Sequence, residues 1–206
     1  MAIGTYAELK TSVANWLDRT DLTSRIPEFI AVAESEIARK VRSRWNEKRI
    51  TASISTEYFD LPTTFIRMRN FQLNTDPIQH LNYESPEQID LLYPNSTVGQ
   101  PKAYSIHGKE FQVKPVPDTT YTAEMTYWYR LTAFSADADT NDLLTNFPDV
   151  YLWGSLLAAQ TFLIDDPRIG LWDSLFKGAV KELNDMDKAG RFSGTSLYSK
   201  PRNVPE

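Results

Sequence analysis

The 206-residue sequence predicts an α+β fold: a helical bundle from the N- and C-terminal helices, an inserted antiparallel β region, and an extended C-terminal tail. Three observations predict it. Apolar residues recur at helical spacing up to Val41 and again from Pro148 to Met186. Between these stretches the period falls to two, and Pro62, Pro77, Pro94, Pro101, Pro115 and Pro117 punctuate the chain as turns and strand ends do. Neither helical end can hide its apolar stripe alone, so both are expected in one bundle. The boundaries follow: residues 1–44 with 146–190 for the bundle, 45–145 for the β region, 191–206 for the tail.

The first helix carries Tyr6, Leu9, Val13, Trp16 and Leu17 on one face. Thr5 is its expected cap, with Glu8 three residues on completing a capping box. A second stripe runs Ile26, Phe29, Ile30, Ala33, Ile37, Val41, with Ser24 as the expected cap and Pro27 in the first turn. The short link between them makes the two helices antiparallel neighbours. From Trp45 the pattern alternates: Ile50, Ala52 and Ile54 face one way. Segments 65–73, 102–106, 111–114 and 121–130 read as further strands, with His107-Gly108-Lys109 as a hairpin turn. One short helix, 86–93, is capped by Ser85 with Pro86 at its first position. After Pro148 a stretch greasy nearly all round implies a buried helix. Asp166 and Pro167 then open a helix whose stripe is Ile169, Trp172, Phe176, Ala179, Leu183, Met186, and Gly190 is expected to stop it.

Composition removes several chemistries. There is no cysteine, so disulfides, thiolate metal sites and Cys nucleophiles are excluded. The two histidines, His80 and His107, stand apart and read as surface or turn residues. The net charge of −5 does not suggest bulk attraction to nucleic acid. No apolar run approaches the roughly 18 residues of a membrane span, and the N-terminus lacks a basic-then-apolar leader. No GxSxG, Walker or GxGxxG motif occurs, so no enzyme, cofactor or metal is expected. In the acidic segment 135–142, Asp137, Asp139 and Asn141 fall at calcium-loop positions 1, 3 and 5, but Asp142 and Pro148 stand where Gly and Glu are needed. A polar loop is the expected reading.

One charge run stands out. Arg39, Lys40, Arg42, Arg44, Lys48 and Arg49 cluster around Trp45 in an otherwise acidic chain. A solvated helix end, whose cations complement the dipole, is the plain reading. The other reading is a docking surface for an acidic partner or a phosphate backbone, a nucleic-acid-binding module at 39–49.

The order of segments resembles the head-to-tail adaptor (connector, or head completion) proteins of tailed bacteriophages. The residues that carry it are Tyr6-Ala7-Glu8-Leu9, Trp16, Ile26-Pro27, Phe29-Ile30, Ala33-Glu34, Ile37 and Arg39. They continue through Leu61-Pro62-Thr63-Thr64-Phe65, Tyr93-Pro94, Gly99-Gln100-Pro101 with Tyr104, Pro115-Val116-Pro117-Asp118 with Tyr121, and Phe147-Pro148-Asp149 with Gly154, Leu156 and Ala159. The resemblance implies a non-enzymatic virion protein, made in the host cytoplasm and placed at the head-tail junction. It also implies a homo-oligomeric ring, usually of twelve copies, between portal protein and tail or nozzle protein. Genomic DNA would pass through its channel without sequence recognition. Arg39, Arg42, Arg44 and Trp45 then become candidates for portal or neighbour contact.

The tail is polar but carries Phe192, Leu197 and Tyr198 as anchors, with Lys200 and Arg202 at a wetter rim. Its 15 residues from Phe192, extended at about 3.3 Å each, reach roughly 50 Å. The expectation is a tail that docks outside its own domain, on the portal or a neighbouring copy.

Overall fold

The structure, a computed structural model, describes residues 3–95, 97–163 and 166–192. The chain order is α1 (Tyr6–Leu17), α2 (Ile26–Lys40), β1 (Glu47–Ile54), β2 (Tyr58–Asp60), β3 (Phe65–Leu73), β4 (Gln79–His80), β5 (Asn82–Tyr83), α3 (Pro86–Leu92), β6 (Ala103–His107), β7 (Glu110–Lys114), β8 (Tyr121–Tyr129), α4 (Asp142–Asn146), α5 (Pro148–Ala158) and α6 (Ile169–Phe192). It divides into two compact units. Residues up to Trp45 and those from Leu131 form one, and Asn46–Arg130 form the other.

In the helical unit α5 is the central element. It packs on α1, α2, α4 and α6. Val150, Tyr151, Leu152, Gly154, Ser155, Leu156 and Leu157 are all buried, which is why its sequence is apolar on every side. Gly154 is where α2 and α6 come close: an added Cβ would stand 3.1 Å from Phe176 and 3.3 Å from Ala33. All six stripe residues of α2, Ile26 to Val41, are buried. Trp16 of α1 is 48% exposed and meets Trp153 edge-on at 5.1 Å. Trp45 and residues 131–145, expected with the β region, count with the helices: Phe134 stacks on Tyr6 and lies tilted against Tyr151, at 5.3 Å from each.

α1 starts as its sequence dictates. Thr5 Oγ1 accepts the Glu8 N–H, and the Glu8 carboxylate accepts the Thr5 and Gly4 N–H groups. Thr5→Ala should cost about 1 kcal/mol. In a chain of this size that lowers the melting temperature by about 2–4 °C, measurable by circular dichroism.

Three helix ends differ from expectation. Ser24 does not cap α2, because the 3-10 helix Thr20–Arg25 runs directly into it and Thr23 already accepts the Ile26 N–H. α6 begins at Ile169, not Pro167: the Asp166 carboxylate accepts the Arg168 N–H, and the Asp166 carbonyl accepts that of Ile169. Gly190 lies inside α6, which continues to Phe192. A glycine costs a helix only about 1 kcal/mol and ends it only where a left-handed cap follows. The rest of the expected tail lies outside the described residues.

The second unit holds two four-stranded sheets, ordered β1-β8-β3-β4 and β2-β7-β6-β5. Their inner faces share one core that includes Ile54, Phe71, Leu73, Tyr104, Phe111, Val113, Met125 and Tyr127. Phe111 sits amid rings of Phe59, Phe65 and Phe71 at 5.2–5.5 Å. The pairing is antiparallel except for β5 and β6, which run parallel. The crossover that a parallel pair requires is α3 and the chain after it. Ser85 and Gln88 form the capping box of α3, and Gly108, at φ +60°, makes the turn between β6 and β7.

Candidate functional site

The charged segment after α2 is built around the helix end. Val41 turns extended, leaving the last carbonyls of α2 without partners from the helix. The Arg42 guanidinium donates to two of them, Ala38 at 2.9 Å and Val41 at 2.7 Å. From α6, Asn184 Oδ1 accepts the Arg42 N–H at 2.9 Å, and Asn184 Nδ2 donates to the Lys40 carbonyl at 3.2 Å. Asp187, buried in the α6 stripe, accepts the Arg44 N–H at 2.8 Å. These side chains fix the exit path from α2. The Arg44 guanidinium then lies over the Trp45 ring at 5.2 Å, and Trp45 meets Phe147 edge-on at 6.0 Å. Beside them is a notch of about 190 Å³ lined by Arg44, Trp45, Met186, Asp187 and Gly190.

Of the expected interface residues, Arg42, Arg44 and Trp45 come together here, and Arg39 stands exposed on the last turn of α2. Phe192 closes α6. Leu197, Tyr198, Lys200 and Arg202 lie outside the described residues. The charge run does not act as one surface. Lys40 pairs with Glu36 at 2.5 Å, Arg42 is spent on the helix end, and Arg49, in the other unit, pairs with Glu124. Asn184, Asp187 and Met186 were not anticipated. The one signal for Asp187 is its position four residues after Leu183, where an apolar residue would continue the stripe.

The acidic segment 135–142 is likewise in use. Asp139 accepts the N–H groups of Ser135 and Ala136, which hold its carboxyl below the usual range. Asp137 pairs with Lys10, and Asn141 caps α4 through the Leu144 N–H. Among the described residues no three of His, Asp and Glu gather as metal ligands. His80 is exposed beside Asn70, and His107 bonds Gln112 at 2.8 Å.

Glu34 is a partly buried carboxylate of α2 whose Oε1 accepts the Phe134 N–H at 3.1 Å. Burial raises its pKa above the ordinary Glu range, and the Phe134 bond only partly offsets this. The folded state therefore holds that proton more tightly than the unfolded chain, so stability falls as pH rises through the raised value. Glu34→Gln keeps the acceptor and removes the penalty. The variant should melt higher than the parent at pH 7, and the two should converge below about pH 4, in thermal melts across pH.

The surface also carries apolar side chains that the periodic reading did not single out. In the sheet unit Leu91 is 80% exposed, with Leu92, Tyr83, Val98 and Ile78 also exposed. A cleft of about 420 Å³ opens beside Tyr83, lined also by Phe65, Met68, Tyr104 and Ile106. In the helical unit α2 and α6 flank a groove of about 690 Å³ lined by Phe29, Val32, Phe162 and Ile169 among others. Exposed apolar residues mark a surface that meets other proteins only where they form a contiguous patch. No helix among the described residues is long and apolar enough to cross a membrane.

The model of one protein family, the SU10 adaptor protein, matches residues 4–199 of the chain. No curated protein matches it.

Proposed function

We propose that this chain, which belongs to the SU10 adaptor protein family and is thereby a structural phage protein, forms the ring that joins the portal to the tail or nozzle. The ring encloses the channel through which the genome leaves. The observation that carries the reading is the family match along nearly the whole chain. The surface is compatible with it. The helical unit and the sheet unit each display large apolar side chains that a particle would cover. The charged groups of the segment after α2 serve caps and local pairs more than a continuous basic face.

In this reading the portal protein, the tail or nozzle protein and further copies of the chain, usually twelve in all, are the partners. DNA passes without sequence recognition. Arg39, Arg44, Trp45 and Phe192 on the described chain, with Leu197, Tyr198, Lys200 and Arg202 beyond it, are the residues offered to portal or neighbour. Assembly takes place in the host cytoplasm, and the protein ends at the head-tail junction.

Mixing the purified chain with portal rings and weighing the product tests this. A complex holding a fixed, ring-sized number of copies per portal is the expected result. Deleting residues 193–206 should weaken its formation about tenfold or more, equivalent to about 1.4 kcal/mol. Absence of any portal complex, together with steeply salt-dependent binding to duplex DNA, would instead make the chain a nucleic-acid-binding module.

A further inference from the structure

We infer that each copy in the ring lays one flank of its α6, Leu171 and Leu175 with Glu182, into the groove between α2 and α6 of the next copy. The inference rests on the proposed ring and names the surface that closes it. The two helices that flank the groove run in the same direction. At one end Phe29 and Phe162 meet at 5.4 Å, with Ile169 in the same lining, and at the other Lys40 lies over the Phe176 ring at 5.2 Å. The groove is apolar along its first turns, where Val32 is 54% and Phe162 43% exposed. Its volume of about 690 Å³ suits a row of side chains rather than one. Its charges are ordered along its length. Glu28, paired with Arg25, lies at the Phe29 end, and Lys40 and Lys177 lie at the far end, in surface pairs with Glu36 and Asp173.

The matching ridge is on the other flank of α6, where Leu171 is 57% and Leu175 36% exposed. Helical spacing puts Leu171, Leu175 and Glu182 on one side, and the groove residues Ile169, Asp173 and Lys177 on the opposite side. One unit thus carries an apolar groove and an apolar ridge on different faces. Contact between them is heterologous, the kind that repeats from copy to copy and closes a ring. Ring symmetry also fixes the direction. Copies turned by about 30°, as in a ring of twelve, keep each α6 within about 30° of its neighbour's, close to the crossing of about 20° at which helices pack ridge into groove. In that direction one register satisfies every group. With Leu175 beside Val32, Leu171 comes about 6 Å nearer the Phe29 end, and Glu182 comes about 10 Å the other way, where Lys40 stands about 12 Å from Val32. Leucine then meets the aromatic end, and the carboxylate meets the two ammonium groups.

The chain has no cysteine, so an introduced pair is the only pair. In the complex with portal rings, the full-length chain carrying Val32→Cys and Leu175→Cys should link copies in series under mild oxidation. The ladder should form at least about tenfold faster than with Val32→Cys and Met186→Cys, because Met186 shares the exposed flank but stands about 16 Å further along it. Glu182→Lys should weaken assembly about tenfold and leave the melting temperature of the free chain unchanged, and adding Lys177→Glu should recover most of the loss. A portal complex of fixed copy number in which the two cysteine pairs link equally fast would overturn this contact and leave the ring standing. So would a disulfide within one copy as the main product, or a Glu182→Lys variant that assembles as the parent does. Where no portal complex forms, the ring reading fails, and the same pairs in the concentrated free chain decide the contact. A ladder through Leu175→Cys supports it, and unlinked monomer overturns it.

Discussion

Gly154→Val should destabilise the helical unit by about 3 kcal/mol, the upper end of what overpacking a core costs. The reason is geometric. Gly154 lies in the middle of α5, where that helix touches α2 and α6 at once. The first added carbon already stands 3.1 Å from Phe176 Cε2 and 3.3 Å from Ala33 Cβ, and valine adds two more. Phe176 and Ala33 are both fully buried, so neither can swing into solvent to make room. Relief has to come from moving one helix against another. The melting temperature should fall by roughly 6–12 °C. Gly178→Ala in α6 is the opposite case. Its Cβ meets nothing within 4 Å, and alanine loses less backbone entropy, so stability should rise by about 0.5–1 kcal/mol and the melting temperature by about 1–4 °C. Opposite signs from two glycines separate close approach from helix propensity.

Asp187→Ala should cost about 2–3 kcal/mol, far more than a surface carboxylate would. Asp187 is 8% exposed, and its Oδ1 accepts the Arg44 N–H at 2.8 Å. Removing it leaves a backbone donor without its charged acceptor and a small void in the α6 stripe. The segment Val41 to Trp45 is held to α6 by this bond and by the two bonds of Asn184. Loosening it should raise the exposure of Trp45, read as a red shift in tryptophan emission that Trp45→Phe removes. Asp187→Asn retains an acceptor oxygen and should lose about half as much. A melting temperature unchanged by Asp187→Ala would mean that Asn184 alone holds the segment.

The elements with strong periodicity were legible because burial imposes that periodicity. The α2 stripe, the continuous apolar run of α5, and the alternation in β1 and β3 each follow from one face or all faces being buried. The capping boxes at Thr5 and Ser85 were legible because two side chains at fixed spacing satisfy the same orphan donors. What the sequence hid depends on tertiary context. α4 is five residues long, and its apolar pair Leu143-Leu144 is too short to show a period. Ser24 looks like a cap until the preceding 3-10 turn is seen to continue into α2. The α6 stripe read through Met186, yet Asp187 takes the buried position, because steps of three and four are equally good continuations after Leu183. The parallel pairing of β5 and β6 needs strands of two residues each, below what alternation can reveal. The candidate site was legible as residue types around Trp45. Its construction was not, since Asn184 and Asp187 arrive from more than 140 residues away.

The central claim is that the chain is a ring at the head-tail junction. The most direct measurement is a cryo-electron-microscopy map of the intact phage particle, with symmetry applied along the tail axis. The account predicts that the helical unit and the two-sheet unit fit density between portal and tail as one closed ring around the DNA channel. Density for this chain on the capsid shell, or none in the particle at all, would contradict it.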